Sequence, residues 1–117
     1  MSRKPPQVRD AWLLNPEVDG GDVRLDTPAW FAWLERAKTR SFAYGLVDPA
    51  QGCIVGLMTV RKERRQRGGW YWSVYRRQGS QLRRFYLGCS CQVTQTRLHQ
   101  IAQQLLTEAA KEREHLK

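Results

Sequence analysis

The sequence predicts an α+β fold: an antiparallel sheet of three to four strands packed on a C-terminal helix and preceded by an N-terminal amphipathic helix. Three observations predict it. Apolar residues recur at helical spacing in two places, near residues 30–37 and 98–109. Between them lie runs rich in β-branched and aromatic residues, separated by turn sequences. The chain has 117 residues, 41% of them hydrophobic, which suits one domain with a modest core. The expected division is a flexible basic arm over 1–10 and a single domain over 11–117.

Taken in order, "MSRKPPQVRD" is basic and Pro-containing, and is read as the mobile arm. "WLLNPEVDGGDVRL" is broken by Pro16 and Gly20-Gly21, so it is read as irregular, with Trp12 and Leu13 as anchors. "DTPAWFAWLERAKTR" begins a helix, Thr27 capping it and Pro28 taking its first position. Trp30, Phe31, Trp33, Leu34 and Ala37 share one face of that helix and are read as packing residues. "SFAYGLV" and "CIVGLMTVRK" flank the turn sequence "DPAQG" and read as a hairpin; "WYWSVYRR" and "LRRFYLG" flank "QGSQ" and read as another. From about Val93 to Glu114 the pattern is helical again, with Thr94 as cap and Leu98, Ile101, Ala102, Leu105, Leu106 and Ala109 as its apolar stripe.

Register then divides the second hairpin by face. A two-residue turn through Gly79-Ser80 suits Gly at its first central position and pairs Gln78 with Gln81. Val74 then faces Phe85 and Trp72 faces Leu87 on one side, which also takes Trp70 and is apolar enough to pack on the last helix. Tyr75 faces Arg84 and Ser73 faces Tyr86 on the other, with Tyr71 and Arg77 beside them. That second side is basic and aromatic, which suits contacts to phosphates and bases.

Charge points the same way. The chain carries a formal net charge of +9, and residues 59–87 hold nine Arg or Lys against one acid. Such concentration marks a patch for a polyanion. Arg61, Lys62, Arg64, Arg65 and Arg67 run up to Gly68-Gly69 and are read as phosphate grips. A two- or three-stranded sheet is narrow enough for the major groove, where an arginine such as Arg84 donates two bonds to guanine.

These stretches, "GGWYWSVYRR", "RFYLG" and "VTQTRLHQIAQQLL", resemble the three-stranded-sheet-plus-helix DNA-binding domains of the plant apetala and ethylene-response regulators. They are also similar to the amino-terminal arm-binding domains of integrases. The resemblance spans about residues 57–107. It implies that the sheet face opposite the helix, with Tyr71, Ser73, Tyr75, Arg84 and Tyr86 and the arginines of the first strand, lies in the major groove. Ser73 stands where the plant pattern has an acid and Tyr75 where it has Arg, so base preference is not carried over. The expected function is therefore sequence-recognising binding of double-stranded DNA, as a transcription regulator or a mobile-element accessory factor.

Other chemistry finds no footing. Cys53, Cys89, Cys91, His99 and His115 lack zinc-ligand spacing and are read as reduced thiols and ordinary histidines, so no metal and no cofactor are expected. No nucleophile elbow, zinc-protease motif or phosphate-binding Gly loop occurs, and no enzyme activity is expected. Without an apolar run long enough for a membrane span or a signal peptide, a cytoplasmic protein is expected, nucleoid-associated if prokaryotic. Two other readings stay open: single-stranded DNA or RNA stacking on Tyr71, Tyr75 and Tyr86, and a protein-interaction module. In the latter, Trp30, Phe31 and Trp33 of the N-terminal helix dock a partner or a second copy of the chain.

Overall fold

The structure, a computed structural model, describes residues 6–14, 16 and 21–115, with side chains as far as Lys111. Three short strands come first: β1 (Gln7–Arg9), β2 (Trp12–Leu14) and β3 (Val23–Arg24). Helix α1 (Pro28–Glu35) follows, then β4 (Ser41–Val47), β5 (Ile54–Arg64), β6 (Trp70–Gln78) and β7 (Gln81–Gly88). A 3-10 turn (Ser90–Gln92) leads into α2 (Gln95–His115). All the strands among the described residues form one sheet in the order β3-β2-β1-β4-β5-β6-β7, and β1 runs parallel to β4.

This corrects the expected fold class. The sheet has seven strands and is mixed, not three to four and antiparallel, and α1 is inserted after three strands rather than opening the fold. The reason is physical: strands of two or three residues cannot display a period of two, and besides its local hairpin with β2, β1 joins the sheet through β4 more than thirty residues away, Val8 opposite Tyr44. Residues 1–5 of the expected arm lie outside the described residues, whereas Gln7–Arg9 belongs to the sheet. Of the two expected anchors, Leu13 is fully buried and Trp12 stands half in solvent.

The main hairpins form where turn chemistry predicts them. Asp48 accepts from Gly52 N–H and donates its own N–H to Cys53, closing the β4–β5 turn. Gly79 adopts φ +60°, a left-handed conformation that suits glycine, and Gln78 pairs with Gln81. Ser73↔Tyr86, Val74↔Phe85 and Tyr75↔Arg84 follow in the expected register. A bulge between Trp72 and Ser73 then shifts the ladder, so that Trp72 pairs with Gly88 instead of Leu87.

Both helices pack on the same side of the sheet. Thr27 Oγ1 caps α1 by accepting from Trp30 N–H at 3.3 Å, and Thr94 Oγ1 accepts from Arg97 N–H at 3.3 Å at the start of α2. Helix α1 ends at Glu35, where Arg36 turns extended, so Ala37 leaves the stripe and is exposed. Trp30 and Trp33 stack at 5.8 Å between centroids and meet Phe42 edge-on, and Phe42 meets Trp72 at 5.7 Å. Each indole that is buried has a polar partner: Trp30 Nε1 donates to the Val93 carbonyl, Trp33 Nε1 to that of Pro16, and Trp72 Nε1 to Ser90 Oγ. Leu98, Ile101, Ala102 and Leu105 of α2 complete this core.

Candidate nucleic-acid interface

With both helices on one side, no element among the described residues covers the other side of the sheet. Met58, Val60, Trp72 and Val74 face the core, so alternation turns Thr59, Arg61 and Glu63 of β5 outward. Tyr71, Ser73, Tyr75 and Arg77 of β6 join them, as do Leu82, Arg84 and Tyr86 of β7. The end near the β4–β5 and β6–β7 turns exposes Val55, Leu57 and Leu82, with Arg77 opposite Leu82. The opposite end is a polar network.

Glu63 is the centre of that network. Its carboxylate accepts from the Tyr71 hydroxyl at 2.6 Å, from the Tyr75 hydroxyl, and from Arg84 Nη2 at 3.2 Å. Arg84 also donates through Nε to the Tyr75 hydroxyl at 2.9 Å and through Nη2 to Ser73 Oγ at 3.3 Å. Three strands are thereby fastened through one carboxylate. Burial pushes the Glu63 carboxyl up, but the hydrogen bonds from Tyr71, Tyr75 and Arg84 outweigh it and hold the group below its ordinary value. The same bonds to Tyr75 and Glu63 raise the Arg84 guanidinium further above its own.

Arginines cover the tyrosine rings. Arg65 lies over Tyr71 at 5.1 Å and over Tyr86 at 5.8 Å, and donates to the Tyr86 hydroxyl at 2.6 Å. Arg61 lies over Tyr75 at 5.5 Å. Tyr86 is 52% exposed, the most open of these rings.

The expected site residues thus fall into distinct places. Arg61, Tyr71, Tyr75, Arg77 and Tyr86 lie on the outer face, and Arg65 and Arg67 in the loop at its end. Ser73 also points outward but is fully buried beneath its neighbours, so it reaches no ligand without their movement. Arg84 is on the face yet engaged within it. Lys62 turns to the core side: its ammonium donates to the Arg36 carbonyl at 2.9 Å, at the negative end of α1, and lies over the Trp70 and Trp72 rings. Burial lowers the Lys62 amine, an effect opposed by Glu35 and reinforced by Arg40. Arg64 has the same parity as Lys62 but is exposed at the strand end. Trp70, expected in the packed face, is 39% exposed, and Arg40 covers it at 5.1 Å. Trp30 and Trp33 are buried, so the aromatic face of α1 is occupied by its own core.

Glu63 was missed because one acid in a basic run reads as a surface residue. The signal that could have found it is parity: Arg61 and Glu63 alternate with the core residues Met58 and Val60. Cys89 and Cys91, expected as separate reduced thiols, are joined as a disulfide beside the 3-10 turn, and Cys53 is free and exposed. No helix among the described residues is long and apolar enough to cross a membrane.

A second carboxylate ties the sheet to α2. Arg83 forks onto Glu108, with Nη2 to Oε1 at 2.7 Å and Nε to Oε2 at 2.9 Å, and that pairing holds the Glu108 carboxyl below its ordinary value. Glu63 and Glu108 are both lowered on folding, so their stabilisation is fully present above the unfolded value near 4.5 and is lost as pH falls through the folded values. The thermal midpoint should be flat from about pH 7 to 5 and fall below about pH 4.5, and Glu108→Gln should flatten part of that fall. Equal acid sensitivity in that variant would assign the loss elsewhere. Comparison with protein-family models, curated proteins and solved structures finds no match to this chain.

Proposed function

We propose that this chain binds double-stranded DNA by presenting the outer face of β5–β7 to the major groove, with phosphates gripped by Arg61, Arg64, Arg65, Arg67 and Arg77. The carrying observation is an uncovered sheet face on which arginines and tyrosines converge. As a biological setting, a regulator or an accessory factor of a mobile element accommodates such a module equally well.

Width is the objection to answer. Seven strands span about 29 Å, while the groove is about 12 Å wide. The sheet narrows where the site lies, however. Ladder pairing of β4 with β5 ends at Ser41↔Arg61, so Lys62–Arg64 pair with β6 alone. That end is two to three strands wide, about 10 Å. Twist of about 20–25° per strand also turns β1–β3 away from a duplex held there.

Stacking of single-stranded bases is the second reading, favoured by the exposed Tyr86 ring. Against it, Arg65 already lies over both Tyr71 and Tyr86, so a base must displace a cation to stack.

Selection from a randomised duplex library near physiological salt, with excess structured RNA as competitor, separates these readings. A discrete recovered motif is the expected result. Duplex retained without a motif would reduce the reading to phosphate binding, and retention of RNA alone would replace it with stacking.

A further inference from the structure

We infer that Glu63 is a specificity-determining residue of this face, selecting a base that carries an exocyclic amine, cytosine or adenine, at the centre of the contact. The inference rests on the duplex-binding reading. It begins from charge. Glu63 is the one acid within residues 59–87, and it sits in the middle of the cluster of Arg61, Arg65 and Arg67 at the narrow end of the outer face, where β5 pairs with β6 alone. Its ion pair with Arg84 makes that middle close to neutral. Around it, Arg61, Arg65 and Arg67 form no ion pair with any described residue. A phosphate therefore gains most at the flanks and least at the centre. The duplex settles with its backbones on the arginines and its base edges over Glu63.

Hydrogen-bond capacity supplies the base preference. A carboxylate offers about four acceptor positions. Tyr71, Tyr75 and Arg84 occupy three of them. The side chain remains 23% accessible, so the last position is open to a donor from outside. In the major groove cytosine presents its N4 amine and adenine its N6 amine, whereas guanine O6 and thymine O4 are acceptors that a carboxylate repels. The three donors also fix the orientation of the carboxylate from two neighbouring strands, so the acceptor is held ready before any ligand arrives.

Glu63→Gln tests this directly, because an amide both donates and accepts and releases Arg84 from its ion pair. Every base pair holds one amino-bearing base, so the signature is bound to one strand: in parallel selections the unmodified chain should recover a central position at which that strand carries cytosine and adenine alike and excludes guanine and thymine. The variant should lose that preference while keeping the flanking ones. Its binding to random duplex should tighten severalfold, with a logarithmic salt slope steeper by about 0.9 as Arg84 gains a phosphate. The same motif and slope from both proteins would overturn the assignment and leave duplex binding intact; failure of the unmodified chain to retain duplex would overturn the reading beneath it. If the variant does not fold, the unmodified chain decides. At the central position of its motif, exchanging cytosine and adenine on one strand should be tolerated while guanine or thymine there costs about tenfold or more, and a position that discriminates cytosine from adenine as strongly as from guanine and thymine would overturn the assignment.

Discussion

Trp72→Ala should destabilise the fold by about 3–5 kcal/mol, the range for deleting a buried large aromatic. Trp72 is fully buried where the helix-side core meets the end of the sheet that carries the candidate interface. Its ring packs on Phe42, its Nε1 donates to Ser90 Oγ at 2.9 Å, and the Lys62 ammonium lies over it at 5.6 Å. Truncation removes all three contacts and opens a cavity between β6 and the 3-10 turn. Trp72→Phe keeps the aromatic packing but leaves the buried Ser90 hydroxyl without that donor, so it should cost less, about 1–3 kcal/mol. Urea unfolding checks both: domains of this size carry about 5–15 kcal/mol in total, so the alanine variant should show a large shift of midpoint. Equal losses in the two variants would mean that the hydrogen bond, not the ring, holds this corner.

The β6–β7 register was legible because two local signals agree. Gly79 sets a two-residue turn, and the period of two then fixes every pair as far as Ser73↔Tyr86. The bulge after that pair was not legible, since nothing in "SVYRR" or "RFYLG" marks the extra residue. Both helix starts were legible because Thr27 and Thr94 act locally, through hydrogen bonds to N–H groups three residues on. The end of α1 was not: the apolar spacing runs on to Ala37, but the chain turns at Arg36. The N-terminal strands are too short to declare a period, and although β1 and β2 pair locally, the tie of β1 to β4 lies far along the chain.

The candidate site was legible as a composition and not as a network. Sequence spacing assigns Tyr71, Tyr75 and Arg84 to one face, yet it does not say that all three turn toward Glu63. That convergence depends on side chains from three strands meeting across the ladder. Lys62 shows the opposite error. It shares the parity of Met58 and Val60, and so belonged on the core side from the start, but its place in the run "RKERR" drew it into the phosphate set.

Taking Lys62 out of the phosphate-gripping set and adding Arg77, exposed on the outer face, gives the salt dependence a definite value. Arg61, Arg64, Arg65, Arg67 and Arg77 remain with no ion pair to any described residue. Each phosphate neutralised contributes about −0.9 to the slope of log affinity against log salt, so these five predict about −4.5. Raising salt from about 50 to 200 mM should then weaken duplex binding by about 500-fold. The variants separate the roles. Arg65→Ala with Arg67→Ala should reduce the slope by about 1.8 and weaken binding to all sequences alike. Lys62→Ala should leave the slope unchanged while lowering the thermal midpoint, because its ammonium serves the end of α1. Titration of one duplex across that salt range measures the slope for all three proteins. A Lys62→Ala slope reduced by about 0.9 would return that residue to the interface. A slope near zero in the unmodified chain would show that its arginines meet no phosphate.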